Sequence, residues 1–290
     1  MSKDSRLPIL KYAGGKHRET PQYLSYIPDY DKYFEPFFGG GATYFYIQPD
    51  NARVADINEP LIHFYKSFVK EYPRFRQELD TLQSLYESNN RVFKEREQSS
   101  NGAHVENPNA ELYYDIRSMF NGLSPAKYCY ATIYYFINKL AYSGMIRYNK
   151  AGEFNVPFGH YHTFNTHLVT KEQHDLMEKA EIANESYQRS FELAGTNDFI
   201  FLDPPYDTTF SEYGNEVLTG DFNEDSHRQL AEDFKNLSAK ALMIIGKTDL
   251  ISELYRPYIQ GAYEKRYSVN IRNRFKSTAQ HLIIANYKLS

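Results

Sequence analysis

The chain has 290 residues, 41% of them hydrophobic and 24% charged, which fits a globular protein built as one large domain or as one domain with an insertion. No apolar run approaches the roughly 18 residues of a membrane span, and the start, MSKDSRLPIL, does not resemble a signal peptide. The single cysteine, Cys129, excludes an internal disulfide framework and a cysteine-rich zinc site. The histidines are scattered and form no metal-binding motif. We therefore predict a cytoplasmic protein with no membrane partner and no metal.

Aromatic and charged residues are unevenly used. The chain has 27 tyrosines, 20 phenylalanines and no tryptophan; tyrosine suits half-wet stacking surfaces, although a bias in the coding sequence would also explain the count. The net charge of -4 does not indicate a nucleic-acid-binding protein. Residues 256–276, however, hold six basic side chains and one acidic one. This basic tail predicts either a phosphate-contacting face or a solvated charged surface.

The first motif, KYAGGK at residues 11–16, places two glycines and a lysine before a helix start. Backbone N–H groups and a cation suit a carboxylate or a phosphate, but surface turns of this kind are common.

A second motif, YFEPFFGGGATYFYI at residues 33–47, predicts a short strand, a glycine turn and a helix. Such a turn brings backbone N–H groups close to a ligand. The spacing is not G-x-G-x-x-G, so the dinucleotide-binding fingerprint is not met.

The next strand, predicted at residues 53–55, ends at Asp56. An acid at this position can bind ribose hydroxyls. Alternatively, Asp56 or Asn58 caps the helix that starts at Pro60, and the two roles are compatible because Asn58 can cap while Asp56 binds.

The middle of the chain is mostly helical in pattern. We predict helices over 61–85 and 111–142, an exposed loop over 87–110, and a shaped loop or hairpin over 143–165. Within that hairpin, Arg147 and Lys150 bracket Tyr148 and Asn149, a mixture that suits phosphates and base edges but also a purely structural hairpin.

The third motif is FLDPPY, residues 201–206. The apolar run at 199–202 predicts a buried parallel strand, and two prolines end it at Asp203. Further along come a helix over 223–237 capped by Asn223 or Asp225, a strand over 241–249, and a final strand over 281–289 at or near a sheet edge. We predict an α/β domain formed by 1–60 and 185–290, with residues 61–184 as a mostly helical insertion.

Asp203, Pro204 and Tyr206 together suit an exocyclic amine on a flat ring. Such an amine is a poor nucleophile because its lone pair is delocalised. Asp203 can accept one N–H and the Pro204 carbonyl the other, while Tyr206 provides a stacking face. A base inside a duplex would have to flip out to reach this pocket.

These motifs, with YNKAGEFNVPFGHY at residues 148–161, resemble those of the Dam-type (D12 class) DNA adenine-N6 methyltransferases. The resemblance covers most of the chain. It implies a Rossmann-like α/β fold with a helical target-recognition insertion, S-adenosylmethionine as methyl donor, S-adenosylhomocysteine as its product, and double-stranded DNA as partner. It also brings a cognate restriction endonuclease into consideration; we expect a monomer, since one chain carries every motif.

The resemblance assigns roles to three sets of residues. The catalytic set is Asp203, Pro204, Pro205 and Tyr206. The cofactor set is Tyr12, Ala13, Gly14, Gly15, Lys16, Glu35, Pro36, Phe37, Gly39, Gly40, Gly41, Ala42, Asp56, Ile57 and Asp203. The DNA set is Tyr142, Ser143, Met145, Arg147, Asn149, Lys150, Pro157 and Tyr161, with Arg272, Arg274 and Lys276 of the tail.

One departure leaves the target sequence open: Tyr142-Ser143-Gly144 stands where members that read GATC often carry Tyr-Asn-Gly. Three alternatives also remain at this point. They are a methyltransferase acting on N4 of cytosine, a nicotinamide-dependent oxidoreductase that uses the glycine turn, and a DNA-binding module without catalysis.

Overall fold

The structure, a computed structural model, describes residues 5–12, 14–207, 222–266 and 278–289. Four of the predicted site residues, Ala13, Arg272, Arg274 and Lys276, lie outside the described residues.

One sheet organises the fold. Its strands are β1 (Tyr33–Glu35), β2 (Ala52–Asp56), β3 (Glu181–Asn184), β4 (Phe199–Leu202), β5 (Lys240–Gly246), β6 (Ile259–Arg266) and β7 (Thr278–Ala285). Their order across the sheet is β3-β2-β1-β4-β5-β7-β6. Strands β1 to β5 run parallel, and β7 runs antiparallel to both of its neighbours. The carboxyl ends of β1, β2, β4 and β5 therefore meet at one edge, where open α/β sheets bind ligands.

The helices are α1 (Ala42–Ile47), α2 (Glu59–Lys70), α3 (Tyr72–Ser99), α4 (Pro108–Phe120), α5 (Tyr130–Leu140), α6 (Lys171–Glu178), α7 (Tyr187–Leu193), α8 (Glu224–Lys235) and α9 (Asp249–Leu254). Short 3-10 turns occur at Thr20–Gln22, Leu24–Tyr26, Tyr142–Gly144 and Arg256–Tyr258.

Both faces of the sheet are covered. Phe199 and Phe201 of β4 pack into a core shared with residues of α1 to α6, while Ile200 and Leu202 pack into a second core with residues of α7 to α9. All four side chains are fully buried. This is why β4 is a continuous apolar run rather than an alternating one.

Most predicted elements are present. Helix α1 begins at Ala42, and the side chains of Asn58 and Asn223 cap α2 and α8 as predicted. Strand β7 lies second from the sheet edge, next to β6.

The prediction of an exposed loop over 87–110 is wrong. Helix α3 continues to Ser99, and α4 already begins at Pro108. The segment 91–98 is polar, but Arg, Lys, Glu and Gln are good helix formers. A hydrogen bond from Asn90 Nδ2 to the His162 carbonyl, 2.8 Å, also ties this part of α3 to the neighbouring loop. The predicted helix over 111–142 is interrupted between Phe120 and Tyr130.

Strand β3 has no sequence signal because its side chains are only half-buried or exposed. It is joined to β2 by backbone pairing and by Arg53, which contacts Glu181 and Glu185 at 2.6 and 2.9 Å. This edge strand lies within residues 61–184, the range predicted as the insertion.

Tyrosine hydroxyl groups fasten the loop over 141–165 to the helices. Tyr113 and Tyr135 are fully buried, and their hydroxyls donate to the carbonyls of Val156 and Asn165 at 3.0 and 3.1 Å. Tyr86 donates in the same way to Tyr161. Many of the tyrosines are therefore core residues whose polar tips satisfy loop carbonyls.

Candidate active site and DNA-binding face

The FLDPPY motif opens the site at the carboxyl end of β4. Asp203 follows the last residue of β4 directly, and its side chain is 23% exposed. Pro204 is buried beneath it. The Tyr206 ring lies against Gly246 at the end of β5, 3.6 Å from the position that a Cβ there would take. Asp203 and Tyr206 therefore lie near each other at this end of the sheet, since both contact the Lys16 ammonium.

Lys16, in the first motif, contacts both Asp203 and Tyr206. Its side chain is 1% exposed, and Nζ lies 2.6 Å from Asp203 Oδ1 and donates to the Tyr206 hydroxyl. Burial raises the pKa of Asp203, and the Lys16 ammonium opposes that shift. The resemblance assigned Lys16 to the cofactor set, yet its ammonium contacts both Asp203 and Tyr206.

A second acid, Glu35, is fully enclosed at the end of β1. The Tyr33 hydroxyl donates to its Oε2 at 2.7 Å. Burial raises the pKa of Glu35 to about 8, with the nearby Asp203 carboxylate adding to the shift and the Tyr33 hydrogen bond opposing it. Burial thus holds the Glu35 carboxyl largely neutral at pH 7, within electrostatic reach of Asp203.

The Tyr12 side chain packs closely against the glycine turn. A Cβ on Gly39 would lie 2.9 Å from the Tyr12 ring, and one on Gly41 would lie 2.6 Å from the Phe38 ring. Both glycines also have positive φ angles, 49° and 65°. Any larger residue would displace Tyr12 or the start of α1.

Asp56 links the glycine turn to β2. Its Oδ2 accepts from the Gly39 N–H and its Oδ1 from the Asn58 N–H, both at 2.9 Å. Asn58 separately caps α2 through the Leu61 N–H at 3.1 Å. Burial raises the pKa of Asp56, and its backbone hydrogen bonds oppose that shift. The neighbouring Ile57 is 45% exposed, so an apolar surface flanks the acid.

The other predicted cofactor residues surround the same edge. Gly14 is exposed, with a φ of 76°, and the Gly15 N–H donates to the Tyr12 carbonyl at 3.3 Å. Phe37 stacks on Tyr187 with ring centroids 5.5 Å apart. Pro36 and Ala42 are buried. Pro205, from the catalytic set, is exposed.

The predicted DNA hairpin presents exposed side chains at its start. Tyr142 and Met145 are 54% and 41% exposed. Ser143 between them has a φ of 54°, an uncommon angle for a residue with a Cβ. Isolated backbone bridges between Ala141 and Phe158 and between Tyr148 and Phe154 hold the two sides together.

Arg147 is oriented by its own hairpin. Its Nε donates to Asn155 Oδ1 at 2.8 Å. Asn149, in contrast, uses its side chain inside the turn, where Oδ1 accepts from the N–H groups of Ala151 and Glu153 at 2.9 and 3.0 Å. Lys150 and Pro157 are exposed. Arg147 and Lys150 are therefore the hairpin cations available to a ligand, while Asn149 shapes the loop.

Two lysines that the sequence did not single out lie beside this hairpin. Lys11 Nζ lies 4.2 Å from the Tyr161 ring centroid and donates to the Lys139 carbonyl at 2.8 Å. Burial lowers the pKa of Lys139 to about 7, and Lys11 adds to the shift. Neither lysine forms an ion pair with an acid among the described residues. Lys11 is the first residue of the first motif, which is a usable signal, whereas Lys139 lies in an apolar helix and gives none.

One group of side chains outside this site has the spacing of metal ligands, namely His174, Asp175 and Glu178 of α6. Asp175 is paired with Lys171 at 2.6 Å, and the His174 Nε2 lies 3.2 Å from the Val69 carbonyl. These contacts explain the group without an ion.

Residues 12–271 match the family of D12 class N6 adenine-specific DNA methyltransferases. The chain belongs to this family. The chain is similar to the type II methyltransferase M.CviBI of Paramecium bursaria Chlorella virus NC1A, with 34% identity over 289 residues, covering 97% of this chain and 99% of that protein. It is also similar to the retron Ec67 DNA adenine methylase of Escherichia coli, with 29% identity and coverage of 95% and 90%. A DNA adenine methylase of Vibrio cholerae is 31% identical over 221 residues, with coverage of 73% and 72%.

This membership confirms the predicted class of enzyme. The protein is an adenine-specific DNA methyltransferase that uses S-adenosylmethionine, and its seven-stranded α/β sheet fits that class. The cytosine, nicotinamide and non-catalytic alternatives are set aside. No helix within the described ranges is long and apolar enough to span a membrane.

Proposed function

We propose that this methyltransferase modifies one adenine in a short, specific sequence of double-stranded DNA, after that adenine has flipped into the recess formed by Asp203 to Tyr206. The contact of Lys16 with both Asp203 and Tyr206 at the carboxyl end of the sheet carries the proposal. It defines one buried place where an amine acceptor and a stacking ring coincide.

The roles of these side chains follow from the chemistry of the exocyclic amine. Lys16 occupies Asp203 Oδ1, and Oδ2 accepts no hydrogen bond within the described part of the chain. Oδ2 can therefore accept one N6–H, and the Pro204 carbonyl accepts the other, which favours the lone pair on nitrogen. Tyr206 stacks on the ring. The Lys16 ammonium opposes the rise that burial causes in the pKa of Asp203, which favours the carboxylate as an acceptor.

The cofactor residues fit S-adenosylmethionine, which supplies a methyl group on a sulfonium. We assign Asp56 to the ribose hydroxyls of the cofactor and the exposed Ile57 to a face of the cofactor's adenine ring. The turn over 39–41 would let the backbone approach the cofactor closely. Glu35, enclosed beside Asp203, would face the cationic part of the cofactor, where a positive charge would favour its ionised form.

DNA recognition falls to the hairpin and to the two lysines beside it. We assign Arg147 to a base edge, Lys150 to phosphate, and the exposed ring of Tyr142 to the gap left by the flipped base. Lys11 lies over the Tyr161 ring next to the same hairpin, and the Lys139 ammonium lies over the nearby Tyr135 ring. On this view residues 61–184 carry target recognition, and 1–60 with 185–290 carry catalysis.

Relatives from a virus, from Methanocaldococcus jannaschii and from Lactococcus lactis are named type II methyltransferases. By analogy, we propose that this enzyme protects its sequence from a cognate restriction endonuclease. We also propose that it acts as a monomer in the compartment that holds the DNA.

The test is incubation of the purified enzyme with labelled S-adenosylmethionine and unmethylated genomic DNA, followed by single-molecule mapping of modified bases. We expect N6-methyladenine confined to one short motif, and no label with the Asp203→Ala variant. Methylation of adenine without any motif would contradict sequence-specific recognition, and label in RNA or protein alone would contradict the substrate.

A further inference from the structure

A buried carboxylate lies behind the catalytic tyrosine. Glu19, just before the Thr20–Gln22 turn, is 7% exposed. Side chains from the last two strands converge on it. Lys265 Nζ lies 2.6 Å from Oε1, His281 Nδ1 lies 2.7 Å from Oε2, and the Tyr263 hydroxyl donates to Oε2 at 2.8 Å. Burial alone would raise the pKa of Glu19, but these contacts, with Lys16 nearby, hold it at about 2.

His281 connects this carboxylate to Tyr206. It is fully buried in β7, in register with Gly246 of β5 on one side and Tyr263 of β6 on the other. Its ring meets the Tyr206 ring edge to face, with centroids 5.3 Å apart and planes at 78°. Because Gly246 offers no side chain, the Tyr206 ring rests on glycine and is bounded by His281.

The backbone of Glu19 is bonded to the backbone of Lys16. The N–H groups of Glu19 and Thr20 donate to the Lys16 carbonyl at 2.7 and 2.9 Å. The same turn therefore fixes the backbone from which the Lys16 side chain extends to Asp203 and Tyr206. Glu19 is thus linked to both neighbours of Tyr206, to His281 through its carboxylate and to Lys16 through its backbone.

We propose that Glu19 and His281 are a positioning pair, which sets the Tyr206 ring and the Lys16 ammonium in the geometry that the flipped adenine requires. Neither side chain touches the substrate. The inference rests on the proposed role of Tyr206 as the stacking face. It differs from a purely structural role, in which the buried contacts of Glu19 only hold β6 and β7 to the rest of the fold.

The decisive variant is His281→Asn, which keeps a donor near the position of Nδ1 but removes the ring that bounds Tyr206. The probe is a cognate duplex with 2-aminopurine at the target adenine, whose fluorescence lifetime reports stacking on a tyrosine. We expect the quenched population to shrink. The single-turnover methylation rate, measured on the matching duplex with adenine at the target position, should fall roughly 10- to 100-fold. The affinities for S-adenosylmethionine and DNA should stay within about twofold of wild type, because Asp56, the glycine turn and the hairpin lie on other elements than His281.

A matched control is Tyr287→Phe. It removes one hydroxyl that donates to the Tyr26 carbonyl at 2.8 Å, in the same C-terminal segment. We expect wild-type rate and lifetimes. Glu19→Gln provides a second variant at the other end of the pair, and the Glu19→Gln/His281→Asn double variant should cost little more than the more damaging single one, because the two act as a unit.

Wild-type rate and lifetimes in His281→Asn would overturn the inference. So would additive losses in the double variant, or a loss of rate that appears only with a matching loss of thermal stability and cofactor affinity. A Tyr206→Ala complex separates this failure from that of the proposed function. If its 2-aminopurine lifetimes equal those of wild type, Tyr206 is not the stacking face and the underlying assignment fails instead.

Discussion

At the scale of single residues, the site is defined by two buried acids with opposite surroundings. Asp203 is paired with a lysine ammonium, whereas the partners of Glu35 among the described residues are the Tyr33 hydroxyl and a backbone N–H. Because an unpaired buried carboxylate is costly, Glu35 takes up a proton instead of ionising. The same sheet edge therefore holds one carboxylate and one carboxylic acid.

The raised pKa of Glu35 predicts a pH-dependent stability. The folded protein binds a proton at Glu35 up to about pH 8, while the unfolded chain releases it near the ordinary value of 4.5. Stability is therefore lost as pH rises through this window. In Glu35→Gln, which cannot ionise, the free energy of unfolding relative to wild type should rise by about 3 kcal/mol between pH 5.5 and 8.5.

Urea unfolding of the cofactor-free proteins at the two pH values measures this difference. Tyr33→Phe serves as a control, because it removes the hydroxyl contact but leaves the acid. An equal pH dependence in wild type and Glu35→Gln would contradict the assignment of a neutral Glu35.

The contact of Lys16 with Asp203 predicts a shift in the acid limb of the rate–pH profile. In Lys16→Gln the ammonium that lowers the pKa of Asp203 is gone, so this pKa rises. Because Asp203 works as a carboxylate, activity should be lost at a higher pH than in wild type, by roughly one unit or more. Single-turnover rates at saturating cofactor measure the shift. A weaker cofactor affinity with an unmoved acid limb would mean that Lys16 serves only the cofactor.

The shared sheet edge of the proposed site residues was the most predictable feature of the site. Asp203, Tyr206, Asp56 and the glycine turn end or follow strands, and strand ends in a parallel sheet share one edge. The contact of Lys16 with the catalytic pair was not predictable, since 187 residues separate it from Asp203. Glu19 and His281 carried no signal either, because a lone acid and a lone histidine have many uses.

At the scale of elements, the hairpin over 141–161 is rigid by its own polar contacts rather than by a regular ladder. Asn149 closes the turn, and Asn155 holds the guanidinium of Arg147. Tyrosines from α3 and α4 hold its second side. A guanidinium held before binding loses less conformational entropy when it contacts a base.

Asn155→Ala tests this preorganisation. It frees Arg147 without changing the charge of the hairpin, so discrimination between cognate and non-cognate duplexes should fall by part of the roughly 1–3 kcal/mol of a bidentate base contact. Binding to both duplexes at one fixed salt concentration measures the effect. Lys150→Ala is the control within the same hairpin, and it should weaken both duplexes equally. If Asn155→Ala weakened binding to the cognate and the non-cognate duplex equally, Arg147 would contact a phosphate and not a base edge.

Some helices and strands were predictable from the hydrophobic pattern of the sequence, and others were not. Apolar runs and Asn caps predicted β4, β5, α2 and α8, since burial on both faces leaves a clear signal. The single helix predicted over 61–85 is divided at Glu71 into α2 and α3. Its end was predicted too early because the last turns of α3 are solvated and bury little. Strand β3 has no apolar alternation and depends on Arg53 and the neighbouring β2 for its place.

At the scale of the whole molecule, chain topology assembles the site from distant segments. One edge of the sheet receives contributions from the first motif, β1, β2, β4 and the final strands. The helices between β2 and β3 support the hairpin. Lys11 joins the two parts, because it lies one residue before Tyr12 and its side chain contacts Tyr161. A lysine next to the proposed cofactor residue Tyr12 thus contacts Tyr161, a residue of the proposed DNA-binding set.

The most direct test of the account is single-turnover methylation of the mapped cognate duplex by wild type and Asp203→Ala, with DNA binding measured on the same samples. The Lys11, Arg147 and Lys150 contacts remain in the variant, so DNA affinity should stay within a few-fold. Methyl transfer should fall by roughly 1,000-fold or more, because the amine loses its charged acceptor. Undiminished transfer by Asp203→Ala would contradict the assignment of this recess as the catalytic site.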